Sequence, residues 1–497
     1  MQVKFNWKKF CRHFLSILLL FLAVLMIRST DWAINTFNSL DFSEIVYHLK
    51  VPIEGTSSTI LLSFFTDSFL YSIVVTGLLY FIISYFCLRY KENKLFKVVV
   101  GKQILLAICA FIIFGCVALV RVNALDYVVA ITTQSTFIEE NYVDGRDVEI
   151  KFPDQKRNLI YIFLESMEAT YTSTEIGGYM EDNLLPNLTA YAEEGVNFSN
   201  TKQFGGLYSP QNTTWTIAAM VAQTTGLPLS VPIDSNRYYG EKPFLPGAYS
   251  IGDILEREGY NQELLIGSKA EFGARNLLFT QHGDYKINDY HAAIEDGRLP
   301  SGYFEWWGYE DSKLFDYAKE ELLALASQPE PFNLTMLTAN THFQDGYLEE
   351  ACAVDYDDPY YNVLACSDQQ VYEFVEWIKQ QDFYENTTIV IVGDHLTMNK
   401  KTFDHVDKSD RTVFNLFINS VVEPHRTNMR TATTLDMFPS TLASMGVEIE
   451  GDRLGLGVNL FSNRRTLAEK FGLKYLNEEL SHFSTFYNDN LLSIEEE

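Results

Sequence analysis

Asn158-Leu159-Ile160-Tyr161-Ile162-Phe163-Leu164 runs straight into Glu165-Ser166, and Thr388-Ile389-Val390-Ile391-Val392 runs into Gly393-Asp394-His395. Both are short apolar runs rich in β-branched and aromatic side chains, and both stop on ionisable residues. A run that is apolar at every position, not at alternate ones, suits a strand buried on both faces, as in a parallel sheet. Residues 263–266 (ELLI), 332–337 (FNLTML) and 413–418 (VFNLFI) have the same character, with helix-like stretches at 251–258, 312–326 and 369–380 between the runs. The alternation predicts an α/β domain whose mostly parallel sheet is covered by helices on both faces. Ligands of such sheets bind beyond the carboxyl ends of the strands. Those ends carry Glu165, Asp394 and His395, and His342 follows 332–337 a few residues on. Two carboxylates and an imidazole suit a hard or borderline divalent cation. Taken singly, each has an ordinary reading as a helix cap or a hydrogen-bonded core histidine.

Gln211-Asn212-Thr213-Thr214-Trp215-Thr216-Ile217-Ala218-Ala219-Met220-Val221-Ala222 reads as a loop feeding an apolar helix. Asn212 or Thr213 is the expected cap, and Gly226-Leu227-Pro228 closes the helix. A hydroxyl at a helix start faces free N–H donors and the positive end of the dipole, which favour an alkoxide and phosphoryl oxygens. Threonine is a weak nucleophile unless a neighbouring group or a metal activates it. By spacing alone, a simple N-cap explains Thr213 as well.

The rest of the chain has a different composition. Lys+Arg 38 against Asp+Glu 65 gives a net charge of −27 over 497 residues, yet 47% of the residues are hydrophobic. The acidity argues against a nucleic-acid surface and the apolar content against disorder. Uncharged stretches at 14–27, 69–88 and 104–120 predict membrane-spanning helices over about 10–28, 68–88 and 103–121. The first competes with a cleaved signal peptide, but no small-x-small cleavage site follows it. Lys4, Lys8, Lys9 and Arg12, then Arg89, Lys91, Lys94, Lys97 and Lys102, flank the spans on one side, and Asp31, Asp41, Glu44 and Glu54 lie on the other. By the positive-inside rule everything after 120 faces away from the cytoplasm. The expected organisation is a membrane domain at 1–120, a juxtamembrane connector at 121–156 that sets the height of the site above the bilayer, a catalytic domain at 157–470, and an acidic extension at 471–497. Cys352 and Cys366, with 13 residues between them, are the two cysteines of the soluble part. They read as a disulfide in an oxidising compartment or as a pair of free thiols. His282, His291, His405, His425 and His482 read as surface or packing residues.

Taken in order, Leu164-Glu165-Ser166, Thr213-x-Trp215-Thr216-Ile217, Trp307-Gly308-x-x-Asp311, Thr341-His342, Gly393-Asp394-His395, Leu435-Asp436-Met437-Phe438-Pro439-Ser440 and Gly455-Leu456-Gly457 resemble the membrane phosphoglycerol transferases of the alkaline phosphatase/sulfatase superfamily. That group includes the lipoteichoic acid synthases, and the likeness, over about 155–460, is strongest to the branch acting on periplasmic glucans. The resemblance implies a sulfatase/alkaline-phosphatase-like domain in the bacterial cytoplasmic (inner) membrane, facing the periplasm or exterior. It implies that Glu165, Thr213, Asp394 and His395 bind one divalent metal ion, manganese first, with zinc or magnesium as the others. Thr213 would be the nucleophile on phosphatidylglycerol, with Thr214 its neighbouring alternative. His342 would act on the phosphate or the leaving oxygen, Arg275 would clamp the glycerophosphate, and a glycan or polyol-phosphate would be the acceptor. The chain departs from the family at Gly273, where an aromatic residue is common. The sulfatase C/S-x-P-x-R signature is absent around Ser209-Pro210, against formylglycine-dependent sulfate-ester hydrolysis. The alternatives are a phosphoethanolamine transferase or phosphodiesterase on the same fold, or a membrane protein that binds glycans or partners without catalysis.

Overall fold

The computed structural model describes residues 7–37, 42–48, 50, 58–90, 93, 102–230, 243–342, 345–399, 402–403 and 405–493. Lys4, Asp41, Glu54, Lys91, Lys94, Lys97 and the acidic end at 494–497 lie outside them. The chain divides into two compact units, Met1–Phe42 with Thr56–Val129, and Ser43–Gly55 with Ala130–Glu497.

Among the described residues the first unit holds three helices long and apolar enough to cross a membrane, Phe10–Thr36, Ile60–Phe86 and Gln103–Arg121. The first is longer than its uncharged core suggests because the charges that bound that core are satisfied by neighbouring helices. Arg28 donates to the Asp67 carbonyl (Nη2, 3.1 Å) and stacks on Tyr71, and Asp31 pairs with Arg121. A charge within an apolar segment persists where it has such a partner.

In the second unit six strands form one sheet: β1 Asn158–Leu164, β2 Asn261–Ile266, β3 Lys286–Asn288, β4 Phe332–Leu337, β5 Thr387–Gly393 and β6 Asn415–Ile418, in the order β3-β2-β4-β1-β5-β6. All neighbours are parallel except β5 and β6. Strand β3, three residues at the edge, carries too little apolar signal to be expected from sequence. β1 is buried along its whole length. Leu159, Tyr161 and Phe163 pack on one face with Ile217, Met220 and Val221, whereas Ile160, Ile162 and Leu164 pack on the other with Leu314, Leu322 and Val371. That two-sided burial is the reason the run is apolar at every position. Truncating Phe163 to alanine removes a buried ring and costs about 3–5 kcal/mol.

Two expected boundaries change. Residues 130–156 are not a spacer. Phe137 is buried, Val143 bonds the Gly455 backbone, and Ile150–Lys151 pairs with Glu448–Ile449. The C-terminal segment is equally integral, because Leu476, Leu480, Tyr487 and Leu491 enter the same core. Its helix Leu473–Ser481 buries two leucines on one face and leaves charged residues on the other, so low overall hydrophobicity concealed a packed element. The expected helix at 369–380 also starts ten residues earlier, as Pro359–Lys379, with Asp358 capping and proline in the first turn.

Candidate active site

Register builds the centre. Leu164 of β1 lies opposite Gly393 of β5, so the next residues, Glu165 and Asp394, leave the sheet side by side. Gly393 permits this closeness, since a Cβ there would stand 1.9 Å from the Met167 carbonyl oxygen. Ser166 takes a left-handed conformation (φ 53°) that is unfavourable for a residue with a side chain. There its backbone N–H donates to Asp394 Oδ1 (2.7 Å) and its hydroxyl to Glu165 Oε1 (2.8 Å).

Glu165, Asp394 and His395 are all buried, and one ligand atom from each falls within 4.8 Å of the other two. His395 Nδ1 donates to the Leu396 carbonyl (2.9 Å). Its Nε2 therefore faces Glu165 and Asp394, 3.4 Å from an oxygen of each. A histidine oriented by a backbone carbonyl is the usual state of a metal ligand. Asp394 Oδ1 accepts from the Ser166 and His395 amides, whereas Oδ2, also buried, has no hydrogen-bond partner among the described residues. An anionic oxygen buried in this way is costly unless it is paired or ligated. Burial raises the Asp394 pKa, and the nearby Glu165 charge raises it further. Burial also opposes ionisation of Glu165, but His342 and His395 outweigh it and hold that carboxyl below its ordinary range. This donor set, two carboxylate oxygens and one imidazole nitrogen converging on a point, fits a divalent cation.

The helix expected to carry the nucleophile is Thr216–Thr225, closed by Gly226 at φ 67°. It begins two or three residues later than the expected caps allow, with Trp215 at the N-cap position and no side-chain cap. That shift places Thr213 away from the cluster. Its side chain is fully buried, its hydroxyl donates to the Pro210 carbonyl (2.7 Å) and it accepts from Thr434. Asn212, the other expected cap, instead reaches the Leu480 carbonyl. Thr216 stands at the cluster, its Oγ1 3.4 Å from both Glu165 Oε2 and His395 Nε2. It is the first helical residue, where backbone N–H groups lack intrahelical partners. The signal for Thr216 was present: the unbroken apolar helix face starts at Ile217, so the hydroxyl at the helix start is the one immediately before it.

Arg275 is brought to the same place. It is buried, donates through Nε to Phe272 and through Nη2 to Lys269 carbonyls (2.9 and 2.7 Å), and its pKa falls to about 10 because burial outweighs the Glu165 charge beside it. Gly273 lies at φ 68°, so the departure noted there answers a backbone requirement. The aromatic surface comes from elsewhere: Phe272 packs 5.4 Å from Trp307, whose ring lies 4.4 Å from His342. Asp311 accepts from the Ala339 and Asn340 amides (2.8 and 3.0 Å) and so holds the turn that bears His342. Behind His395, the buried Arg411–Glu168 pair grips both the amide and the carbonyl of Thr397. Cys352 and Cys366 are joined as a disulfide.

The family model described as Sulfatase matches residues 157–447. Phosphoglycerol transferase I of Salmonella typhimurium is 31% identical over 329 residues, 64% of this chain and 41% of that protein. The protein of the same name from Xanthomonas axonopodis pv. citri is 33% identical over 299 residues, 58% of this chain and 41% of its own length. The chain thus spans about two fifths of the length of these curated relatives. Among solved structures, the integral membrane lipooligosaccharide phosphoethanolamine transferase A of Neisseria meningitidis superposes with a TM-score of 0.50 at 12% identity, over 87% of this chain and 84% of that one. At that identity the likeness is one of fold.

Proposed function

The chain belongs to the sulfatase family, and we propose that within it this protein is a membrane-anchored phosphoglycerol transferase. It moves glycerophosphate from phosphatidylglycerol to a hydroxyl of a glycan or polyol-phosphate acceptor outside the cytoplasm. The observation that carries the reading is Thr216 Oγ1, 3.4 Å from both Glu165 and His395 at a helix start. Curated relatives named phosphoglycerol transferase I support the transferred group. The basic residues flanking the spans, Lys8, Arg12, Arg89 and Lys102 among them, support a cytoplasmic N-terminus and an external catalytic unit.

Glu165, Asp394 and His395 would hold a divalent cation, manganese first, which would supply Lewis-acid stabilisation of phosphate charge and make a nearby hydroxyl more acidic. In the first step Thr216 Oγ1 forms a bond to phosphorus while the P–O bond to diacylglycerol breaks. The threonine proton ends on the departing diacylglycerol oxygen, with His342 as its carrier. The helix N–H groups and Arg275 offset charge on the phosphoryl oxygens. In the second step the acceptor hydroxyl attacks the same phosphorus, the bond to Thr216 breaks, and the acceptor proton returns to the threonine.

Mass spectrometry of the full chain incubated with phosphatidylglycerol vesicles tests this. The expected result is a glycerophosphoryl adduct on Thr216. A phosphoethanolamine adduct formed from phosphatidylethanolamine, with none from phosphatidylglycerol, would transfer the assignment to the other head group.

A further inference from the structure

The segment after the first apolar helix joins it in sequence to the second, yet its described residues from Ser43 to His48 belong to the compact unit of the sheet. In this segment Tyr47 is 1% exposed. Its hydroxyl donates to the Gly273 carbonyl at 2.7 Å, and its ring lies 5.9 Å from that of Trp215. The first contact reaches the backbone two residues before Arg275, and the second a side chain next to Thr216. Trp215 immediately precedes Thr216. Gly273 and Ala274 form a turn of two successive left-handed residues, φ 68° and 61°, directly before Arg275. Such a turn is unfavourable for Ala274 and persists only where its surroundings enforce it. The surroundings are the Ala274–Glu271 and Asn276–Ala270 backbone bonds, the two carbonyl bonds made by Arg275, and Tyr47. Glu44, three residues earlier on the same short helix, is also buried, so one face of this short helix packs into the domain.

We propose that Tyr47 is a positioning residue of the phosphoryl-transfer site: by holding the Gly273 carbonyl and the Trp215 ring together, it sets the Arg275 guanidinium against the Thr216 hydroxyl. The inference rests on the transferase reading above, which assigns no role to the inter-span segment. Its chemistry is indirect. Tyr47 donates no proton to substrate and takes no bond to phosphorus. It limits the freedom of the turn beneath Arg275, and small misplacements of a clamping cation reduce turnover steeply.

The test uses the full chain in vesicles with manganese. Two substrates are followed, phosphatidylglycerol (diacylglycerol released) and the synthetic diester bis(4-nitrophenyl) phosphate. Tyr47→Phe keeps the ring against Trp215 and deletes one hydrogen bond. It should lower kcat about 10-fold while KM for the lipid moves less than about 2-fold. Tyr47→Ala, which also removes the ring, should lower kcat about 100-fold. In an Arg275→Lys background Tyr47→Phe should cost less than about 2-fold more, because both changes act on one arrangement. A packing role alone would leave the two effects multiplicative. Wild-type kcat in both Tyr47 variants overturns the proposal, as does a full 10-fold loss on top of Arg275→Lys. A wild-type protein that cleaves the synthetic diester but not phosphatidylglycerol overturns the donor assignment instead, and Tyr47 is then judged by the same ratios on the diester.

Discussion

Thr213→Ala and Thr216→Ala should separate stability from catalysis. Thr213 makes one full-strength hydrogen bond, to the Pro210 carbonyl, and receives one weak bond from Thr434. Deleting its hydroxyl leaves the Thr434 hydroxyl without that acceptor in a buried site, a cost of about 1–3 kcal/mol. The midpoint of thermal unfolding should fall by about 2–6 °C, with turnover kept within about 3-fold of wild type. The Thr216 hydroxyl makes two contacts of 3.4 Å, long for hydrogen bonds, so Thr216→Ala should cost under about 1 kcal/mol of stability. If Thr216 forms the covalent bond, its loss should reduce release of diacylglycerol by at least about 10⁴-fold, equivalent to about 5.5 kcal/mol of barrier. The assay is release of labelled diacylglycerol from phosphatidylglycerol vesicles, run beside a thermal melt of each variant. An inactive Thr213→Ala protein alongside an active, normally folded Thr216→Ala protein would refute the reasoning from helix register.

Two further tests address the charges. Asp394→Asn removes the carboxylate whose Oδ2 lacks a hydrogen-bond partner and should weaken manganese binding at least about 100-fold, seen as loss of the rise in melting temperature that manganese gives the wild type; an undiminished rise would remove Asp394 from the ligand set. His282 is buried against Asp253 (Nδ1 to Oδ2, 3.2 Å) and the Phe244 carbonyl. Burial lowers its pKa, but the hydrogen bond and charge of Asp253 raise it further, for a net increase. Its contribution to stability is therefore complete below the unfolded value of about 6.5 and is lost as pH rises through the higher folded value. His282→Gln should flatten the decline of melting temperature above about pH 6.5, and identical slopes in the two proteins would count against this linkage.

The sheet and most of the centre could be read from the chain because each depends on residues that are neighbours in sequence. A strand buried on both faces writes itself as an unbroken apolar run, and a parallel register places whatever follows two such runs together. Glu165, Asp394 and His395 follow from that rule. Thr216 does not, because three hydroxyl residues stand within four positions and only the first helical turn distinguishes them. Tyr47 was hidden more completely. Its segment reads as an acidic loop between spans, and its two partners are a backbone carbonyl and an aromatic ring far along the sequence, with no pattern of their own. Residues 130–156 and the C-terminal helices were misjudged for the same reason, since they join the domain by long-range backbone pairing and a few buried leucines and aromatics.

The loop before Thr216 is held from far along the chain. Gln211 N–H donates to Asn477, 266 positions away, and Asn212 Nδ2 to the Leu480 carbonyl, 268 positions away. Tyr487 closes the other end of the helix region by bonding Pro228 and Ser230. These contacts close very large loops and belong to the late, non-local part of folding. The consequence is one of order in time. On the proposed topology the acidic cluster at the strand ends can form while the chain is still crossing the membrane, whereas the threonine that would face it gains a fixed position only with these C-terminal contacts. The proposed centre would then be assembled in two stages, and lipid would meet a working site only after the second.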